Sequence, residues 1–325
     1  MLNIRRLGLF DKRKIKGIIK ANGSDGDFKY PILKELCCFV QTFLPLKMKL
    51  MSETFVCTDN GDLKGVISVK PVRGNSNRIN ILQLIFANND YTTGKELVNF
   101  VVKHYGKLGA TVFKVVINDE QKNLEDLFMH GCGFRCGSWE NLWDLTPDLG
   151  RFKEFKNVNY SQMTDSYASQ VADLINSEVL SHYKPALLRN ANEFKPPVVE
   201  LFSNTNKSTY VKHFGKNICA YFSIRTSDNK NFVLIPYINS GYEISYDEII
   251  AFAVKNISKF RTSDFNLYLC QQKNLKFSED LEKYLHSNNY KCVNTSHVLI
   301  KEFYTPVKQE YQSFVFSENG LVANR

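Results

Sequence analysis

The chain has 325 residues, of which 43% are hydrophobic and 23% are charged. This balance excludes a largely disordered or low-complexity protein, and the length suits two compact domains better than one. The formal net charge of +9 is compatible with a phosphorylated or otherwise anionic partner, but charge alone identifies none.

The eight cysteines bear on compartment and metal binding. Several lie in apolar, strand-like runs, which is typical of small buried side chains in a reducing compartment. Cys132 and Cys136 have no second Cys or His pair at zinc spacing, so the sequence predicts no metal site. The N-terminal residues lack a signal-peptide core, and no apolar run is long enough to span a bilayer. We therefore expect a cytoplasmic protein without a membrane partner.

The first part of the chain predicts a strand, two helices and then a hairpin. Residues 2–9 read as a strand, and residues 12–21 and 31–43 have apolar residues at helical spacing. An Asn-Gly pair then separates two short β-rich runs, residues 54–58 and 63–69. Asn-Gly between such runs is a strong hairpin signal, so these two runs are predicted to pair.

The next segment predicts alternating strands and helices. A strand over residues 78–87 precedes a helix over residues 94–105, whose apolar side chains fall on one face. A buried strand over residues 111–117, a short helix over 123–129 and a last strand over 138–145 follow.

The sequence also contains an internal repeat. The helix of residues 95–103 recurs at residues 247–255 with Glu, Phe, Val and Lys in register, and residues 66–70 match residues 221–225. Further matches follow in the same order at an offset of about 155 residues, which is the signature of a tandem duplication. We therefore predict a first domain at 1–146, a linker at 147–160, a second domain at 161–304 and a tail at 305–325.

One loop of the first domain has the features of a phosphate site. The segment Asn89-Asp-Tyr-Thr-Thr-Gly94 opens onto the helix, and a helix N-terminus offers unpaired N–H groups and partial positive charge. Gly94 permits close backbone approach, Thr92 and Thr93 carry hydroxyls, and Lys95 adds charge. The same residue types are also ordinary loop and N-cap residues, so the loop alone leaves both interpretations open.

The order of elements, this loop and the later Gly133-Phe134 pair together resemble the GCN5-related N-acetyltransferase (GNAT) fold. In that family a Q/R-x-x-G-x-G/A loop holds the pyrophosphate of acetyl-CoA. Here Asn89 stands at the first position, Thr92 replaces the middle glycine and Gly94 matches the last position. The resemblance implies an α/β fold of two tandem GNAT-like domains, each with a mostly antiparallel central sheet flanked by helices.

The resemblance also implies roles for particular residues. Acetyl-CoA is the expected acyl donor, and an amine of a small molecule or peptide is the expected acceptor. Pantetheine is expected to pair with the backbone of the central strand, the pyrophosphate to face the helix start, and Asn118 to lie near the pantetheine arm. The implied cofactor-binding residues are Leu84, Ile85, Phe86, Tyr91, Thr92, Thr93, Gly94, Lys95 and Asn118.

No catalytic residue is assigned from the sequence. The position where many family members place a proton-donating Tyr is Met129, and the central-strand position of a carboxylate base is Gln83. Neither side chain performs that proton transfer. His130 is interpreted as a surface residue of a helix.

The second copy departs further from the family pattern. Glu243-Ile-Ser-Tyr246 aligns with Tyr91-Thr-Thr-Gly94, so glycine is lost and Glu243 would repel phosphate. Asn289 replaces the glycine of the Gly-Phe pair. We therefore predict that the first domain is the active one and that the second has a structural role.

Two alternatives remain open. One is a non-catalytic tandem GNAT-like protein with a binding role, which the missing Tyr and carboxylate favour. The other is an aminoacyl-tRNA-dependent transferase, because tandem copies of this fold also occur in that class. No nucleic-acid motif is visible, so a nucleic-acid partner is not expected. The sequence identifies neither the acceptor nor the oligomeric state.

Overall fold

The computed structural model describes most of the chain, namely residues 2–8, 11, 14–15, 52–72, 74–153, 155, 159–195, 206–260, 264–303, 316–317 and 320–321. The two helices predicted over residues 12–21 and 31–43 lie outside these residues, apart from 14–15. We use "first half" for residues 1–146 and "second half" for residues 161–304.

The first half follows the predicted order of elements from residue 52 onward. Its helix α1 begins three residues before the predicted start, and a π-helical turn, Leu127–Gly131, follows α2. The elements are β1 (Asn3–Arg6), β2 (Glu53–Asp59), β3 (Asp62–Val72), β4 (Asn75–Phe86), α1 (Tyr91–Gly106), β5 (Val112–Asn118), α2 (Lys122–Asp126) and β6 (Arg135–Asp144).

The second half repeats this order after a short helix within the predicted linker. That helix is α3 (Leu149–Lys153), and the hairpin β13 (Phe316–Ser317) and β14 (Gly320–Leu321) comes last. The elements between are β7 (Ser161–Gln162), α4 (Ala168–Glu178), α5 (Lys184–Leu187), β8 (Asn206–Phe214), β9 (Asn217–Thr226), β10 (Asn231–Ile238), α6 (Tyr246–Phe260), β11 (Asn266–Gln272), α7 (Ser278–Ser287) and β12 (Lys291–Glu302).

The strands of both halves form one continuous sheet in the order β1-β2-β3-β4-β5-β12-β6-β11-β10-β9-β8-β7. The order is symmetric about its centre, where each half gives its last strand to the other. β12 of the second half lies between β5 and β6, and β6 of the first half lies between β12 and β11. The sequence repeat predicts two copies but contains no signal for this exchange of strands.

The strand registers match the repeat found in the sequence. In the first half Thr54, Ser68 and Gln83 lie opposite one another across β2, β3 and β4. In the second half Thr209, Ser223 and Ile235 form the equivalent rung across β8, β9 and β10. Ser68 and Ser223 are therefore equivalent, at the offset that the matching residues 66–70 and 221–225 predict.

Each half has its own apolar core, and the exchange links them. The buried face of α1, including Leu97 and Val101, packs on side chains of the sheet such as Ile67 and Phe113. This first core also contains Leu299, which is fully buried and belongs to β12. The larger second core likewise contains Trp143 of β6. Burying a side chain the size of leucine contributes about 1.5–3 kcal/mol, so each half stabilises the other.

Candidate functional site

The central strands of the first half separate to form an opening. β4 and β5 run in parallel and pair only as far as Ile81 opposite Val115. Beyond that pair β4 continues to Phe86 and β5 to Asn118, so their edges face each other without pairing. A register shift between β3 and β4 at the same place leaves Leu82 as a bulge. Bulges bend a strand and redirect side chains, and they are frequent beside functional sites.

The second half has the corresponding opening, but its strand is regular. β10 and β11 pair as far as Leu234 opposite Leu269. The pairing of β9 with β10 continues through Ile235 and Tyr237 without a register shift. The two openings are therefore equivalent in topology and differ in local geometry.

Backbone direction distinguishes the two openings further. Asn239 N–H donates to the carbonyl of Cys219, which extends the β9–β10 ladder. The backbone N–H and C=O groups of successive residues point to alternate sides of an antiparallel strand. Those of Tyr237 therefore point to β9, and the backbone of Pro236 faces the opening. Proline has no N–H, so the second opening lacks one donor. The equivalent residue in the first half is Leu84, opposite Ile67, and Leu84 has its N–H.

The same alternation sorts the three predicted backbone contacts of β4. Leu84 and Phe86 direct their backbone groups to the opening, whereas Ile85, opposite Val66, directs them to β3. Leu84 therefore offers backbone hydrogen-bonding groups to a ligand between β4 and β5.

Helix α1 begins beside this opening, and its first turn is capped by Asp90. The Asp90 carboxylate accepts the Thr93 N–H at 3.3 Å and the Thr93 hydroxyl at 2.6 Å. The hydrogen bond from the Thr93 side chain holds the pKa of Asp90 below its ordinary value, so a negative charge persists there. Asp90 is thus an N-cap, which is one of the two interpretations that the sequence leaves open for this loop.

The predicted phosphate-facing residues divide by exposure. Tyr91, Thr92 and Lys95 are exposed, whereas Thr93 and Gly94 are buried. A Cβ atom on Gly94 would lie 2.8 Å from the Phe86 ring and 2.9 Å from the Leu127 side chain. Glycine is therefore required here by the chain's own packing, independently of any ligand.

Asn118, the remaining predicted residue, lies at the end of β5 opposite Ser296 of β12. Its side-chain oxygen accepts the Glu120 N–H at 3.1 Å and fixes the turn that leads to α2. The structure thus places Asn118 at the mouth of the opening, with one oxygen engaged in the turn.

In the second half the start of the equivalent helix is filled by the chain's own side chains. The Tyr284 hydroxyl donates to Asp247 at 2.6 Å, and Arg151 contacts the same carboxylate at 3.1 Å. The rings of Tyr246 and Tyr284 lie 5.0 Å apart. Burial raises the pKa of Tyr246 to about 12, and burial together with the bond to Asp247 raises the pKa of Tyr284. Glu243 is exposed in the preceding loop.

The exchange of strands brings one further pair to the first half. His297 of β12 lies opposite Ile117 of β5, and its Nδ1 is 2.5 Å from the Glu125 carboxylate on α2. Sequence reasoning assigned no role to His297, because only the strand order places it beside β5. Met129 packs against the first core, and His130 is exposed, as the sequence indicates.

Within the part of the chain that the structure describes, no three His, Cys, Asp or Glu side chains form a group suited to a metal ion. None of the helices among those residues combines the length and apolarity needed to cross a bilayer.

Comparisons with known proteins identify the fold. No protein-family model matches the sequence, and no curated protein matches it. Among solved structures, a tandem GNAT protein from the clavulanic acid biosynthesis pathway is similar over 93% of this chain and 98% of its own, with 10% identity and a TM-score of 0.56. A GCN5-related N-acetyltransferase from Sphaerobacter thermophilus matches over 93% and 95%, with 12% identity and a TM-score of 0.56.

A third structure extends the same result. A probable N-acyltransferase from Enterococcus faecalis V583, described as a conserved protein of unknown function, is similar over 93% of this chain and 72% of its own, with 9% identity and a TM-score of 0.51. At such identities the likeness concerns architecture. The predicted resemblance is therefore confirmed at the level of fold: the chain is built as a tandem pair of GNAT-type units.

Proposed function

We propose that this protein is an acyl-CoA-dependent N-acyltransferase whose first half binds acetyl-CoA and whose second half is a scaffold. The observation that carries the proposal is the asymmetry between the two openings. The first has a bulged strand, a backbone donor at Leu84 and an exposed Lys95 at the helix start. The second has Pro236 in place of that donor, and Tyr284 and Asp247 fill its helix start.

The residues of the first half fit the cofactor at its pantetheine end. An extended pantetheine amide pairs with a strand edge as an added β-strand does, and Leu84 presents such an edge. At the phosphate end, Lys95 and the exposed Thr92 attract an anion, while the Asp90 carboxylate repels it. Affinity at that end is therefore set by opposing charges.

The chemistry follows from this placement. When bound, acetyl-CoA would supply an activated acyl group as its thioester, and the edge of β4 at Leu84 would hold it. The first half's residues orient the acceptor so that its nitrogen approaches the carbonyl carbon, which converts a bimolecular encounter into a positioned one. The products are an amide and free CoA thiol. The second half contributes β12, which forms one wall of the first half beside β5.

The test is calorimetric titration of acetyl-CoA into the wild type and two charge variants of α1. Lys95→Glu places a negative charge at the start of the helix, and Lys107→Glu makes the same change in an exposed residue just beyond its other end. We expect one site per chain, binding about tenfold weaker or more in Lys95→Glu, and unchanged binding in Lys107→Glu. Equal effects of the two variants, or no binding by the folded wild type, would reject the proposal.

A non-catalytic binding protein is the second candidate, and two observations favour it. Asp90 places a charge where the family's pyrophosphate would lie, and the donor position of the leaving thiol is Met129. This candidate predicts a stable, cooperatively folding protein that binds no acyl-CoA in the same titration.

A further inference from the structure

A cleft lies where β10 and β11 of the second half end. Tyr237 of β10 and Gln272 of β11 line it, and both come after the last pair between these two strands. Helix α4 covers the cleft with Ile175 and Val179. The space measures about 340 Å³, part of which is open to solvent. Ligand pockets measure about 300–1,000 Å³, so this cleft suits a small molecule.

The exchange of strands gives this cleft walls from both halves. β11 ends at Gln272, which lies opposite Glu140 of β6. Beyond that end the sheet continues through β6 and β12 to β5, which supplies Lys114. Glu140 and Lys114 belong to the first half, whereas Gln272 and α4 belong to the second. The cleft is therefore a feature of the assembled pair, and ligand sites are frequent at such junctions.

Arg189 is the cation that the second half directs to the cleft. Its backbone N–H donates to Asn176 Oδ1 at 2.7 Å, and its carbonyl accepts from Asn176 Nδ2 at 2.9 Å. Its guanidinium donates to Glu193 at 3.0 Å, which is its only hydrogen bond to the described residues. A guanidinium has five N–H donors, so a well-fixed Arg189 keeps donors for a ligand.

Glu193 is shared, so it does not neutralise both of the arginines beside it. Its carboxylate accepts from Asn75 Nδ2 at 3.1 Å and lies 3.7 Å from the Arg78 guanidinium. The side chains of Arg78 and Glu193 are exposed by only 11% and 5%. Two guanidinium groups thus face one carboxylate in a poorly solvated place, where an additional anion is favourable.

The rest of the lining limits the charge and the shape of an occupant. Lys114 Nζ is 3.7 Å from Glu140, and the Glu140 carboxylate would repel an ion with two negative charges. A ligand with one negative charge is therefore favoured. Five of the lining side chains are aliphatic, and they suit a short branched hydrocarbon body: Ile175, Val179, Leu187, Leu275 and Val298.

The opening of the first half does not repeat this pattern of charges. Counted from the last parallel pair of each half, Tyr268 of β11 is equivalent to Lys114 of β5. Ser296 lies opposite the end of β5 as Glu140 lies opposite the end of β11. The fold therefore does not require Lys114 and Glu140 at these positions, and their charges are specific to the cleft.

We propose that this cleft binds a small monocarboxylate with a short branched apolar body. The carboxylate lies between Arg189 and Lys114, and the body contacts α4 and Leu187. Arginine suits this role because its planar fork matches a carboxylate with two parallel hydrogen bonds. The inference goes beyond the proposed function, because it gives the second half a ligand of its own and requires no acetyl-CoA.

The experiment titrates the full chain with 3-methylbutanoate, with its uncharged amide and with inorganic phosphate. Arg189→Gln removes the charge, and Leu187→Phe fills the space without changing a charge. Arg151→Gln is the matched control, because Arg151 also pairs with a carboxylate of the second half but does not line the cleft. Lys95→Glu removes the anchor proposed for acetyl-CoA. Calorimetry measures affinity, and thermal melts with and without ligand confirm folding.

We expect one 3-methylbutanoate per chain in the wild type, with the amide and phosphate at least about tenfold weaker. Arg189→Gln binds the carboxylate about tenfold more weakly or worse and no longer distinguishes it from the amide. Leu187→Phe loses binding. Arg151→Gln and Lys95→Glu bind as the wild type does. The carboxylate raises Tm only in the variants that bind it.

Several results would overturn the inference. They are equal affinity for the carboxylate and its amide, tighter binding of phosphate, and absence of carboxylate binding by folded wild type. A folded Arg189→Gln that binds as the wild type does would also reject it. Where Arg189→Gln does not fold, unchanged binding in Leu187→Phe places the ligand elsewhere and rejects the cleft. Failure of acetyl-CoA to bind rejects the proposed function alone, because the carboxylate titration does not depend on it.

Discussion

The two openings of the sheet share one topology and differ in strand register, in one backbone donor and in the packing at the helix start. In the first half β4 is bulged at Leu82, and Leu84 keeps a donor directed to the opening. In the second half β10 is regular and carries Pro236 at the equivalent position. The first turns of α1 and α6 also differ in the size of one side chain. Gly94 and Tyr246 occupy equivalent positions, and the bulkier tyrosine packs on Tyr284.

This difference separates the requirements of fold from those of chemistry. The strand pairing, the parallel step and the buried helix face recur in both halves, because each half needs them to form a core. A bulge and a backbone donor directed to the opening do not stabilise a core, and the second half lacks both. The second half nevertheless cannot be dispensed with, because its β12 completes the sheet of the first.

The largest expected effect is on folding, when β12, the strand that the second half contributes to the first, is removed. A chain ending at residue 290 removes β12, which exposes the edge of β5 and takes Leu299 from the first core. We expect loss of cooperative unfolding in both halves, since β6 also loses β12, one of its two neighbouring strands. A chain ending at residue 303 keeps β12 and serves as control. Near-ultraviolet circular dichroism and thermal melts measure the effect, and a surviving transition of the first half in the shorter chain would show that the halves fold independently.

Much of the fold could be predicted from the sequence, because it depends on local patterns. The Asn60-Gly61 turn correctly predicts the hairpin of β2 and β3, and the apolar face of residues 94–105 correctly predicts α1. The repeat gave the equivalence of Ser68 and Ser223. Strand exchange could not be predicted, because a strand exposes the same alternation of side chains whether its neighbour belongs to its own half or to the other.

The site was harder to predict, because its geometry depends on pairing and packing. The phosphate-loop prediction treated Gly94 as open to a ligand, whereas the structure shows Phe86 and Leu127 against it. The same loop contains Asp90, whose role as N-cap of α1 depends on where the helix begins. Which backbone groups of β4 face the opening follows from ladder alternation, which a sequence does not display. The binding role of these residues stays a prediction.

The next prediction concerns the Leu84 N–H, the backbone donor that distinguishes the two openings. Leu84→Pro removes the N–H directed between β4 and β5, and Pro236 shows that this fold tolerates proline at the equivalent position. We expect acetyl-CoA to bind about three- to tenfold more weakly, as the loss of one hydrogen bond implies. Ile85→Pro is the control for folding, since its N–H faces β3 and its loss should lower Tm.

The reverse substitution tests whether proline alone closes the second opening. Pro236→Leu restores the donor in the second half but leaves Tyr246, Asp247 and Tyr284 at the helix start. We expect calorimetry to give the same number of acetyl-CoA sites per chain as in the wild type. A second site in Pro236→Leu would mean that proline alone closes the second opening.

The smallest effect concerns the charge at the start of α1. Asp90→Asn keeps an acceptor for Thr93 N–H, because asparagine caps helices about as well as aspartate, and it removes the charge that opposes phosphate. We expect acetyl-CoA to bind about two- to fivefold more tightly in low salt, with the gain reduced by added salt. Because the pKa of Asp90 is held below its ordinary value, its charge persists down to acidic pH, and lowering the pH from 8 to 5 should not reproduce the gain in the wild type. Tighter binding in Asp90→Asn would show that the first half retains a phosphate site weakened by its own cap, whereas weaker binding would mean that the Asp90 carboxylate supports the bound state through the order of the first turn.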